Sequence, residues 1–155
     1  MVLNKKALGW TAFITYFGLD ALTTCIGVYI LGVKAEANPA MLATLGAFGL
    51  IGFMALKLAL SLGLTLPSYA LSIRPDTSDM GTSALIAIIA GGIIVSINNA
   101  GVLLTGVSVF YILFGSLSFI GPGILIGLLM LTAGFIAYMS MNAHSRHRRQ
   151  PIKAH

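Results

Sequence analysis

The sequence predicts an all-α integral membrane four-helix bundle with both termini cytoplasmic. Three observations lead there. Hydrophobic residues make up 57% of the 155-residue chain and charged residues only 8%, against about 25% charged in a soluble domain. Four long apolar stretches, at about 8–31, 41–66, 84–112 and 121–141, fill most of the chain, and each is near the roughly 20 residues a bilayer crossing needs. Basic residues gather at the ends, with Lys5 and Lys6 before the first stretch and Arg146, Arg148, Arg149 and Lys153 after the last. That bias holds flanking segments in the cytoplasm. It also accounts for the net charge of +5, so the charge does not call for nucleic acid as a partner. Residues 1–141 read as one transmembrane domain and 142–155 as a basic cytoplasmic tail in reach of anionic lipid. The expected location is the cell membrane, as a multi-pass protein.

The first stretch carries Asp20 at its middle. A lone carboxylate at the centre of a membrane helix costs roughly 2.5–3.5 kcal/mol on insertion scales. Lys5-Lys6 and the later Ala35-Glu36-Ala37 also outline a signal peptide. The apolar run is longer than the usual 7–15 or so residues and has Asp20 inside it, so it reads as helix 1. Tyr16, Asp20, Thr23, Thr24 and Gly27 fall on one helical face, which in lipid has to meet other helices or a watery cavity. Trp10 and Tyr29 stand near the two interfaces. Cys25 is the single cysteine and reads as a small buried apolar residue.

Residues 32–40 make a short connection, so helices 1 and 2 should be antiparallel neighbours. Within it, Glu36-x-Asn38-Pro39 is a turn signal, with Asn38 as N-cap and Pro39 in the first turn of helix 2. Helix 2 repeats small residues: Ala43 and Ala47, then Ala55, Ala59 and Gly63, and Gly46, Gly49 and Gly52 every three. These spacings predict tight helix packing on more than one side. Lys57 lies too deep to reach the interface comfortably, so it needs a protein partner. Pro67 is expected to end the helix, leaving 67–82 as a solvated loop with Arg74, Asp76 and Asp79 and no metal or phosphate motif. Thr82 or Ser83 is then the next N-cap.

Residues 84–115 are an uncharged run with Asn98-Asn99 in its middle. One long helix, a re-entrant pair broken at Asn98-Asn99, and two short spans compete. Two spans would each be too short. Re-entry would put the basic tail outside, so one crossing is preferred. Gly123 and Gly127 give helix 4 a G-x-x-x-G packing pair. His144 and His147 in the tail lack a third ligand and sit among arginines, so no metal site is expected.

Asp20 and Lys57 fall at similar depth on antiparallel neighbours, which makes them a candidate ion pair. Two roles stay open for it: a structural lock on helix register, or a proton- or ion-coupled site. Thr23 and Thr24 can bond to carbonyls one turn back or to Asp20. Asn98 and Asn99 can bond across to a neighbouring helix or line a site opposite Asp20. No nucleophile–base pair, phosphate loop or Cys/His cluster appears, so neither an enzyme nor a cofactor is expected. The favoured function is a non-enzymatic membrane interaction protein, an accessory or assembly subunit whose partners are lipid and other membrane subunits or itself. The alternative is a small oligomeric transporter or channel using the Asp20/Lys57 site.

Together, Asp20-x-x-Thr23-Thr24, Gly32, Glu36-x-Asn38-Pro39, Lys57 and Asn98-Asn99 resemble the pattern of an uncharacterised family of small polytopic membrane proteins. Its members carry an Asp and a Thr in helix 1, an E-x-N-P turn and a Lys in helix 2. The resemblance spans about residues 10–110 and leaves out helix 4 and the tail. It implies that Asp20, Glu36, Asn38, Pro39 and Lys57 share one polar core, and it brings no activity with it.

Overall fold

The computed structural model describes residues 4–33, 36, 39–107, 131–132, 134–136 and 138–139. Among these residues the regular structure is helical, with three helices long and apolar enough to cross a membrane. They are α1 (Lys5–Leu31), α2 (Pro39–Ile73) and α3 (Ser78–Thr105).

Helix α1 begins before the apolar stretch because Asn4 caps it, its side chain accepting from the Ala7 N–H at 3.1 Å. The α-helix widens into a π-helical turn over Ile14–Leu19 and resumes at Asp20. This turn aligns the two halves. In a straight α-helix Ala12 and Asp20 would stand about 80° apart, at about 100° per residue. The π turn winds less per residue and absorbs that offset. Ala12 before it, Thr15 within it, and Asp20, Thr24 and Gly27 after it are thus all buried.

Helix α2 departs from the expected 41–66. Its first residue is Pro39, where no N–H is needed. It also continues through Pro67, the expected stop, to Ile73. Pro67 costs one hydrogen bond to the carbonyl of Gly63, and its ring lies on an exposed face. Hydroxyls support the helix on either side: Thr65 donates to the Ser61 carbonyl and Ser68 to that of Leu64, both at 2.7 Å. The helical path breaks instead at Gly49, with φ 64° and ψ −165°, a conformation only glycine adopts cheaply. Past this kink the buried face runs Phe53, Ser61, Thr65, Ser68 and Ser72.

The expected 67–82 loop shrinks to residues 74–77. Neither Thr82 nor Ser83 caps α3; the cap position is Thr77, whose hydroxyl instead donates to the Leu71 carbonyl at 2.9 Å. Thr82 and Ser83 donate to the carbonyls of Ser78 and Asp79 at 2.6 and 2.8 Å, so their polarity is absorbed inside the helix. Asp79 in the first turn suits the helix dipole. Helix α3 passes through Asn98-Asn99 unbroken and ends at Thr105, short of the expected 112, on left-handed Gly106. Most of the expected fourth helix, with Gly123 and Gly127, lies outside the described residues, as do Lys34, Asn38 and the basic tail. Positions 131–132, 134–136 and 138–139 are helical, and Gly134 stands against Ser83 and Ala87 near the start of α3.

The helices keep one register along their length. Helices α1 and α3 run parallel: Lys5 reaches Thr82 and Asn99 reaches Thr23 and Thr24, at sequence separations of 75–77. Helix α2 runs antiparallel to both, with Tyr69 on Gly9, Lys57 on Asp20 and Cys25 on Met54. Close approach depends on two glycines of α3. A Cβ at Gly92 would stand 2.6 Å from the Thr15 carbonyl carbon, and one at Gly81 2.1 Å from the Ser72 nitrogen. The glycines singled out for packing behave otherwise. Among the described residues nothing lies within 4 Å of a Cβ at Gly46 or Gly49, and at Gly52 the nearest atoms would be those of Phe48 in the same helix. Two apolar clusters result, Ala12–Leu85–Ile88 towards the Lys5 end and Met41–Leu45–Phe53 towards the other.

This register predicts opposite outcomes for two conservative substitutions. Gly92→Ala forces α1 and α3 apart and should cost about 1–3 kcal/mol, the usual range for overpacking. Gly46→Ala should be neutral or stabilise by up to about 1 kcal/mol through helix propensity. Thermal unfolding in mild detergent separates the two, and equal midpoints would refute the α1–α3 contact.

Candidate functional site

The π turn delivers Asp20 to the interior, where it is 4% exposed, between α2 and α3. Lys57 of α2 forms an ion pair with Asp20 Oδ2. The Asn99 amide of α3 donates to Asp20 Oδ1 at 3.0 Å, and lies 3.1 and 3.2 Å from the hydroxyls of Thr23 and Thr24. The Thr24 hydroxyl adds a long contact of 3.4 Å to Asp20 Oδ1, and Thr23 donates to the Leu19 carbonyl at 2.9 Å. Both carboxylate oxygens are therefore engaged, one by a full charge and one by neutral donors. The Lys57 ammonium also lies 5.7 Å from the centre of the Phe53 ring, within cation–π range. Each of the three helices gives at least one polar group, and the formal charges cancel.

Five of the sequence candidates meet in this centre: Asp20, Thr23, Thr24, Lys57 and Asn99. Asn98 is buried as well, but about 100° around α3 from Asn99. Glu36 is half-buried in the connection, its N–H bonded to the Val33 carbonyl at 3.2 Å. Pro39 opens α2, and Asn38 lies outside the described residues. Two features went unread in the sequence. One is the Lys5 ammonium bonded to the fully buried Thr82 hydroxyl near the end of the bundle. The other is the buried hydroxyl face Ser61, Thr65, Ser68 and Ser72, which continues from Lys57 along α2. Its spacing of four, three and four residues was there to be seen. The Ser61 hydroxyl, one turn from Lys57, is fully buried and has no partner among the described residues.

A family described as a domain of unknown function, DUF5658, matches residues 11–106, from within α1 to the glycine that ends α3. The chain belongs to the DUF5658 family. No curated protein and no solved structure matches it. The DUF5658 match takes in α1 from Thr11 onward, all of α2 and α3, and every residue of the polar centre. The family thus coincides with the unit that closes around Asp20, and no activity comes with it.

Charge pairing makes the centre asymmetric towards mutation. Lys57→Met alone leaves a buried carboxylate and should destabilise this DUF5658 chain by about 3–5 kcal/mol. Pairing it with Asp20→Leu removes both charges and should recover most of that loss. A double-mutant cycle of unfolding in micelles measures the coupling. Additive losses would mean that the two side chains do not act as a pair.

Proposed function

We propose that this protein is a non-enzymatic membrane interaction protein, an accessory or assembly subunit that receives a partner's helix on the outer face of α2. The observation behind this reading is the division of α2 into two faces. Lys57, Ser61, Thr65 and Ser68 turn inward, while Ala55, Ala59 and Gly63, at i, i+4 and i+8, are exposed about 200° away. Ala43, Gly46 and Ala47 are exposed as well, and α2 is the least enclosed of the three spans. Lipid offers no hydrophobic drive for helices to associate, so small-residue faces that admit close backbone approach serve that role. The polar centre supports the same reading from inside, because its charges and donors are spent on one another. The protein is placed in the cell membrane with its Lys5 end in the cytoplasm, where the basic residues belong.

A second reading, a small transporter or channel, draws support from the unpartnered Ser61 hydroxyl beside the Asp20–Lys57 pair. Buried hydroxyls without a protein partner are where internal water or ligand is expected.

The two readings part on different variants. With Cys25 replaced by Ala, Ala59→Cys should cross-link to a neighbouring helix in native membranes, and Ala59→Ile should abolish the cross-linked species without lowering the unfolding midpoint. For transport, Asp20→Asn should abolish a proton or ion flux in liposomes while the protein stays folded. A monomer that cross-links to nothing in native membranes sinks the first reading.

A further inference from the structure

On the side of the bundle where α1 and α2 meet, towards the Lys5 end, is an open groove of about 310 Å³. Its walls are Trp10 and Phe13 of α1 and Leu62, Leu66 and Tyr69 of α2, with Lys6 at one end. Gly9 forms part of the floor, where the Tyr69 ring comes as near as 3.0 Å to the position of a Cβ. Thr65 also borders it, but its hydroxyl is turned to the Ser61 carbonyl. The lining is therefore mostly apolar, with one cation, Lys6.

The geometry points to a binding site for an anionic phospholipid, with one acyl chain in the groove and the headgroup phosphate on Lys6. Three features select this occupant. Lys6 to Phe13 is seven residues, about 10 Å along the helix, so the groove runs along the helix axis through much of one leaflet, half of a roughly 30 Å core. That direction and length suit a lipid tail. The charge complements it as well. Lys5 is committed to Thr82, whereas Lys6 is exposed beside the mouth and within reach of a phosphate. Trp10 lines the groove one turn in from Lys6, where an indole favours the headgroup boundary. On α2, Leu62 and Leu66 stand beside the Ala55–Ala59–Gly63 face, so the groove borders that face, and a test on the purified chain reads the lipid without a partner helix.

The test uses the full chain purified in mild detergent, titrated with phosphatidylglycerol or phosphatidylcholine and followed by unfolding midpoint and native mass spectrometry. Phosphatidylglycerol should bind and raise the midpoint more than phosphatidylcholine, and inorganic phosphate should do neither. Lys6→Ala should weaken apparent phosphatidylglycerol affinity about five-fold, the worth of one lysine near an anionic surface. Arg74→Ala, which removes an exposed cation outside the groove, should leave it unchanged. Leu62→Trp should fill the groove and abolish the preference. A phosphatidylglycerol with a photoreactive tail should label the peptides holding Trp10 and Leu62 in the unmodified protein, which keeps the test decisive even if Leu62→Trp misfolds. Equal response to both lipids, an Arg74→Ala effect matching that of Lys6→Ala, or photolabelling spread evenly over the spans would overturn the proposal.

Discussion

The pairing of Asp20 with Lys57 governs how the three helices sit together. A buried charge that loses its partner is costly, and lipid offers no water to replace it. The pair therefore fixes the depth of α1 against α2. Asn99 fixes α3 against both, since its amide lies within 3.2 Å of the Asp20 carboxylate and of two threonine hydroxyls. A slide of α2 by one turn would move Lys57 about 5.4 Å from Asp20. Apolar contacts above and below tolerate such slides; the charged centre does not. This is a register device of the kind attributed to single polar residues in coiled coils, transferred to a membrane bundle.

Backbone irregularities serve that centre. The π turn over Ile14–Leu19 sets the facing of Asp20, and Gly92 of α3 comes against the backbone at Thr15 and Tyr16, inside that turn. Widened helix and missing side chain meet at one crossing, so α1 and α3 approach closely just before the polar residues engage. The Gly49 kink lies two turns before Lys57 and separates the Leu45 turn from the Phe53 turn. Both face the same apolar cluster despite the break.

Much of this was legible in the sequence, because charge is rare in the chain. With only four acidic residues and a single lysine inside an apolar stretch, Asp20 and Lys57 had few other partners. Periodicity on helix 1 put Thr23 and Thr24 beside Asp20. The errors cluster where polar or helix-breaking residues were read by rules for water. Pro67 is a stop signal in a soluble chain, yet in a span the backbone has no solvent to turn to, so the helix continues past it. Thr82 and Ser83 have the residue types of a helix N-cap, but the helix already starts at Ser78 and absorbs their hydroxyls one turn back. The glycine repeat at 46, 49 and 52 signalled packing, and one of the three turned out to be a kink. No sequence rule separates these outcomes, since a glycine's role depends on what stands opposite it.

The closed centre also bears on where function can reside. For Asp20 to exchange a proton or ion, Lys57 would have to leave it, at a cost comparable to the roughly 3–5 kcal/mol of a broken buried pair. Any transport cycle would have to supply that cost at each turnover, at a site where, among the described residues, Ser61 is the buried hydroxyl without a partner. The outward surface carries no such cost. Its small-residue face on α2 and its lysine-capped groove between α1 and α2 are open without breaking any internal bond. Among the described residues, the three helices thus carry an inner lock and two outward features that can be reached without disturbing it. The ionisable pair, the most conspicuous feature of the sequence, then holds in register the helices that carry those outward features.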